Sequence, residues 1–300
     1  MSDTMSDQTS DTTSDKTSDT LSDQSVQTKP SISEEARALM QPDNKIGVLA
    51  TCDADGMPHL ALITSLQALG SNQMSFGKFA AGISKGYVVE RPDVAFLVLN
   101  ASMQWVAGNM RFSHTLNTGP LFEEYNSKPL FRYNAYLGFS QIFVLDLIRI
   151  SEIQKLPMPA IVLGALLTRL LGGPAKKSDQ GLLSRFSLEL FNKLDNLKFV
   201  SWFGEDGLLK IMPIIQAAAA GSDRVIFSGT PYGKELAIPR GAKTAILCLN
   251  LQMQSVLIEG THTKQGAVHV LEIERVYNSM PPKAEYLHPR PKRPQPITEF

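Results

Sequence analysis

The chain has 300 residues, with 29 Lys and Arg against 29 Asp and Glu, and 43% of it is hydrophobic. That length suits one large or two ordinary domains with packed cores. The charge balance creates no basic field, so nucleic acid is not an expected partner, while a small localised anion stays open.

Residues 1–29 repeat Ser-Asp at Ser2, Ser6, Ser10, Ser14, Ser18 and Ser22, with almost nothing apolar between. Such a segment cannot bury enough surface to offset its ordering entropy and is expected to be disordered. It has neither the basic start nor the apolar core of a signal peptide; a phosphorylated or partner-binding tail is the functional alternative. After Pro30, Ser31-Ile32-Ser33-Glu34 has capping-box spacing and predicts a short helix over 34–40.

Residues 45–115 parse as antiparallel strands. Apolar alternation over 46–51 and 59–65, separated by Asp53-Ala54-Asp55-Gly56, is the pattern of a hairpin whose turn needs positive φ at Gly56. A further strand ends at Phe76. Gly77-Lys78-Phe79-Ala80-Ala81-Gly82-Ile83-Ser84-Lys85 then enters a helix that Pro92 limits. Lysines, a serine and glycines at a helix entry suit a phosphate. Cys52 lies in the first strand and Cys248 far downstream, without CxxC or metal spacing. This argues against a disulfide framework and a zinc site, and reads as buried thiols in a reducing, cytoplasmic compartment.

The order Asp-Gly-x-Pro hairpin, Thr64-Ser65 at a strand end, Phe76-Gly77 turn, Ser84-Lys85 helix entry and Glu90-Arg91-Pro92-Asp93-Val94-Ala95 resembles the pyridoxamine 5′-phosphate oxidase-like, FMN-binding split-barrel family over residues 45–150. Gly119-Pro120 and the run from Tyr125 to Tyr136 look like a subgroup rather than the biosynthetic oxidase. The resemblance implies FMN as cofactor, its phosphate gripped by Ser84 and Lys85 and its ring along Leu62-Ile63-Thr64-Ser65, against Phe76-Gly77-Lys78. Oxidases of the family carry an arginine on that strand; here His59, Leu60 and Ala61 stand in the neighbourhood, a departure that speaks against pyridoxamine phosphate as substrate.

Further along, 141–150 alternates as another barrel strand, and Pro157 and Pro159 break the chain. The almost wholly apolar helix over 160–171 falls short of the roughly 20 residues of a membrane span, so no membrane partner is expected and the helix reads as buried or as an interface. A second, amphipathic helix is predicted over 181–194. Residues 198–263 then repeat the opening stretch: Asp55-Gly56 matches Asp206-Gly207 and Phe76 matches Phe227, both 151 residues on, and Leu99-Asn100 matches Leu249-Asn250, 150 residues on. This reads as a tandem duplication. In the second copy, 228–234 is a shorter loop with Lys234.

The expected fold is therefore mainly β with short helices, two tandem split barrels joined by a helical linker. The units are a tail over 1–29, a first domain over 30–155, a linker over 156–196, a second repeat over 197–278 and a Pro-rich tail over 279–300. The two repeats are expected to pair within the chain as a pseudo-dimer with one well-formed flavin site, and further association of whole chains through 160–171 stays open.

Each candidate has a structural reading beside the functional one. Lys85 suits a solvated helix face, Ser84 a helix cap, Lys78 an exposed turn and Trp105 a core position instead of a flavin wall. His59, His114 and His262 read as surface or hydrogen-bonded histidines or, alternatively, one as a haem ligand. Arg132 sits between aromatics and suits internal stacking. Three functions follow: a flavin-dependent oxidoreductase acting on a small substrate or electron donor, a haem-binding or haem-degrading barrel, or a cofactor-less interaction module. No catalytic side chain or metal cluster stands out.

Overall fold

The computed structural model describes residues 30–41, 45–78, 82–127, 138–172, 181–252, 254–278 and 285–289. The Ser-Asp tail, Arg132 and most of the Pro-rich tail lie outside them. Helix α1 (Glu34–Met40) is capped by Ser33, whose hydroxyl accepts from the Ala36 N–H at 3.1 Å. The cap is thus two residues later than the expected Ser31, because Ile32 must first reach the core, where it is buried beside Ala36 and Leu39.

The first sheet contains β1 (Ile46–Cys52), β2 (Pro58–Leu62), β3 (Gln67–Leu69), β4 (Gln73–Lys78), β5 (Asp93–Leu99), β6 (Gln104–Leu116), β7 (Gln141–Ile150) and β8 (Gln154–Lys155), with α2 (Ile83–Glu90) and α3 (Pro120–Ser127) inserted. Its order is β2-β1-β5-β6-β7-β4-β3, with β8 on β6. Helices α4 (Met158–Leu171) and α5 (Arg185–Asn192) follow. The second sheet contains β9 (Leu197–Phe203), β10 (Leu209–Pro213), β11 (Ala218–Ala219), β12 (Arg224–Ser228), β13 (Lys243–Leu249), β14 (Ser255–Gln265), β15 (Val268–Asn278) and β16 (Glu285–His288). Its seven-strand path, β10-β9-β13-β14-β15-β12-β11, repeats that of the first strand for strand, but its eighth strand, β16, pairs with β15, whereas β8 pairs with β6.

The likeness extends to detail. Gly56 and Gly207 close equivalent hairpins at φ +74° and +72°, where a side chain would be strained. Leu99 pairs with Trp105 as Leu249 pairs with Ser255. A bulge interrupts β6 after Asn109 and β14 after Glu259. The helix α2 has a shorter counterpart, a 3-10 turn over Gly233–Leu236.

The sheets meet along a seam. Strand β2 packs on β13 and β14, and β10 packs in the same way on β5 and β6. Along β1, Leu49 faces the first barrel's own core, while Val48, Ala50 and Cys52 join Leu60 and Leu97 in a cluster continuous with Phe199, Val200 and Ile246 of the second repeat. The expected alternation over 46–51 is not what the strand shows: Gly47 to Cys52 are all buried, as in a strand covered on both faces, which reads as a near-continuous apolar run.

Helix α4 begins two residues before the expected 160, with Pro159 in its first turn, where a missing N–H is no loss. Its Ile161, Gly164 and Thr168 face the protein. Helix α5 is shorter than the expected 181–194, starting after Ser184, whose hydroxyl accepts from the Ser187 N–H. Among the described residues, no helix is long and apolar enough to cross a membrane.

Candidate functional site

The end of β4 and the entry of α2 bring most of the sequence candidates together. Phe76 points into the barrel and stacks on Phe143 at 4.9 Å, so it supports the turn from within. Gly77 has no room for a side chain, since a Cβ there would lie 2.2 Å from the Phe139 ring. The Gly77 N–H donates to Ser65 Oγ at 3.0 Å, and the Tyr125 hydroxyl donates to the Ser65 carbonyl at 3.2 Å. Tyr125 and Phe139 thus fill one face of this turn, a packing that sequence reasoning missed; Thr64 beside it is exposed. Leu62 is half-buried against the seam.

Two cations lie beside this turn. Lys78 Nζ donates to Gln141 Oε1 at 3.4 Å. Lys85, half-buried in the first turn of α2, has its pKa pulled below the usual lysine range by burial and then by the positive charge of Lys78. No carboxylate contributes to that shift. Ser84, next to Lys85, is buried. Gly82 at the N-cap of α2 offers no side-chain cap.

The second repeat reaches this helix. Tyr277 lies beside the Ile83 backbone and Tyr286 beside Tyr87, each near enough to bear on the tyrosine's ionisation. His59 packs edge-on against Tyr87 and Tyr277, with ring centroids 5.7 and 4.9 Å away. Its Nδ1 lies 2.8 Å from Glu259 Oε1, with the two side chains 2% and 1% exposed. Glu259 accepts from the Tyr286 hydroxyl at 3.2 Å, and Arg275 lies 3.8 Å from it. Arg275 also donates to Asp53 Oδ2 at 2.8 Å. Burial of Asp53 opposes its charge, but the Arg275 hydrogen bond and backbone donors from Met57 and Asp55 prevail and hold its carboxyl below the usual range.

Asp53, Glu259, Arg275 and Tyr286 went unrecognised because they come from hairpin, strand and C-terminal positions far apart in sequence. The only available signal was a glutamate in the middle of the otherwise apolar stretch 256–260.

The pseudo-equivalent point across the seam is built differently. There Lys210 stands for His59 and Asn109 for Glu259. Asn109 donates to the Leu209 carbonyl at 2.8 Å and accepts from Arg149, which pairs with Asp206. An amide held between a backbone carbonyl and a guanidinium replaces the buried carboxylate.

Three candidates lie elsewhere. Trp105 pairs with Leu99, which pairs with Ile46, whereas His59 pairs with Thr51, five residues along β1; at a strand's rise that is roughly 17 Å away. Trp105 is buried in the seam cluster. His114 is exposed beside Ser113. His262 is buried in the second barrel, where its Nε2 meets His269 Nδ1 at 2.9 Å. Among the described residues, no cluster of three or more His, Cys, Asp or Glu is placed to hold a metal.

No family model matches the sequence, and no curated protein matches it. Several solved structures resemble part of the chain. An FMN-binding protein from Syntrophomonas wolfei subsp. wolfei is 20% identical over 41% of this chain and 86% of its own, with a TM-score of 0.37. HupZ of Group A Streptococcus is 14% identical over 40% of this chain and 91% of its own, with a TM-score of 0.33. An FAD-binding protein from Mesorhizobium loti is 15% identical over 40% and 91%, with a TM-score of 0.30.

Proposed function

We propose that the first repeat binds FMN at the entry of α2 and that the chain is a flavin-dependent oxidoreductase acting on a small acceptor. The observation that carries this reading is the Lys78–Lys85 pair. A half-buried ammonium at Lys85, with the positive charge of Lys78 and no carboxylate among the causes of its lowered pKa, is the complement of a phosphate dianion. Ser84 adds a hydroxyl at the same helix entry.

Tyr125 and Phe139 cover one face of the Gly77 turn. We therefore place the ring on the seam side, along Leu62 and Ser65. Bound flavin would supply the electron-transfer chemistry; the chain would hold the phosphate, orient the ring and exclude water.

Flavin titration by fluorescence quenching tests this. Lys85→Ala should weaken FMN binding by about tenfold or more, roughly 1.5–3 kcal/mol for one charge-assisted contact. Riboflavin, lacking the phosphate, should bind the variant and the parent alike. Unchanged FMN affinity would place the phosphate elsewhere. Absorbance of the purified protein separates this reading from the others: flavin bands, a Soret band for haem, or neither for an interaction module.

A further inference from the structure

Helix α4 carries two opposed apolar faces, and the fold uses one. Ile161, Gly164 and Thr168 pack on the second repeat, closely enough that a Cβ on Gly164 would lie 2.5 Å from the Thr230 carbonyl oxygen. On the other side Met158, Val162, Leu166 and Leu170 are 44%, 53%, 54% and 69% exposed, flanked by Leu163 and Leu171. Their spacing of four residues makes a single ridge of the kind that packs into the groove of a facing helix.

We infer that this ridge is the contact between two copies of the chain, paired about a twofold axis through α4. A ridge that is apolar along its whole length can pack on its own twofold-related copy, which is what an isologous interface requires. At about half exposure each, six such side chains offer on the order of 500 Å² per copy, so that a pair reaches roughly the 1,000 Å² at which a specific interface begins. Charge argues against a lipid surface as the occupant. The only charged residue of the helix, Arg169, turns to the Asn192 carbonyl of α5, leaving no cation on the ridge, and the chain's formal net charge is zero. The pairing is independent of the proposed flavin site, which we assign to the other repeat.

Sedimentation velocity on the full chain at tens of micromolar should show a dimer. The double substitution Val162→Glu, Leu166→Glu should give a monomer with unchanged circular dichroism, whereas Leu251→Glu, at an 82% exposed position off the helix, should leave the dimer intact. Because Cys52 and Cys248 are buried, Leu166→Cys offers a second readout and should cross-link two chains under mild oxidation. A monomeric parent chain, or a dimer that survives the double substitution in folded protein, overturns the inference. So does a monomer that co-sediments with phosphatidylcholine vesicles, which would make the ridge a lipid contact.

Discussion

Glu259 of the second repeat and Asn109 of the first occupy the same place beside a bulge in their respective sheets, yet one is a buried carboxylate and the other an amide. Asn109 is satisfied by the Leu209 carbonyl and the Arg149 guanidinium. A carboxylate at 1% exposure needs more, and it has His59, Tyr286 and Arg275 around it. The backbones of the two halves match, while one side of the seam has acquired a charged cluster that reaches α2 through Tyr87.

Removing that carboxylate should be costly. Glu259→Ala leaves a guanidinium, an imidazole and a phenol without their shared acceptor, so a loss of about 3–5 kcal/mol is expected, the range for breaking a buried ionic pair. Glu259→Gln keeps an acceptor and should lose about 1–3 kcal/mol. Arg149→Ala gives up the exposed Arg149–Asp206 pair and also leaves the buried Asn109 Oδ1 without its donor, so it should cost about 1–3 kcal/mol, still less than Glu259→Ala. Urea unfolding orders the three; Glu259→Ala no worse than Arg149→Ala would deny the cluster its structural role.

Much of the fold was legible because it is written locally. Gly56, the Asp-Gly turns and the strand over 141–150 follow from turn chemistry and alternation, and the duplication follows from constant spacing. The proximity of Gly77, Lys78, Ser84 and Lys85 was also legible, since one short loop from β4 to α2 carries them, and a hydrogen bond joins Ser65 to Gly77. The seam cluster was not. Its partners sit up to 222 residues apart, as Asp53 and Arg275 do, and no periodicity records a contact between two sheets. Trp105 was misleading for the same reason: an aromatic in an apolar strand does not reveal which end of the sheet it occupies.

Acid should unfold the second barrel by way of two histidines. Where the first repeat stacks Phe76, Phe143 and Phe112, the second stacks Phe227 on His269, which meets His262. Burial, followed by His262 and Lys264, depresses the His269 pKa to about 4, and burial lowers His262 as well. With folded values below the unfolded value of about 6.5, the unfolded chain binds protons first. Stability should therefore be full above pH 6.5 and fall towards pH 4, by up to about 1.4 kcal/mol per pH unit for each proton taken up. The double substitution His262→Phe, His269→Phe copies the first repeat and should flatten that limb in pH-dependent urea titrations. An unaltered limb would mean that carboxylates such as Asp53 govern it.

Two glycines in helices should respond oppositely to alanine. Gly86 in α2 has nothing within 4 Å of an added Cβ, so Gly86→Ala should stabilise by about 0.5–1 kcal/mol through propensity alone. For Gly164 the same gain meets the Thr230 carbonyl at 2.5 Å, and overpacking of about 1–3 kcal/mol should prevail. Thermal melts would show one midpoint rising and the other falling; two rises would mean that α4 yields freely from β12.

The chain should bind one flavin, although it carries the site's framework twice. In the second repeat Gly229 stands where the first has Lys78, and Lys234 is exposed, whereas Lys85 is half-buried. The end of β12 is also occupied: the Ser228 N–H donates to Thr168 Oγ1 at 2.9 Å, and its hydroxyl donates to the Gly164 carbonyl at 3.0 Å, so α4 lies over the strand end that would meet a ligand. A phosphate there would find one solvated ammonium, and an exposed ion pair contributes less than about 1 kcal/mol. Calorimetric titration with FMN should saturate at one equivalent per chain. Lys234→Ala should leave the isotherm unchanged, while Lys85→Ala should weaken it without uncovering a second phase. Saturation at two equivalents would overturn the single site, and loss of binding in Lys234→Ala with Lys85 intact would move the cofactor to the second repeat.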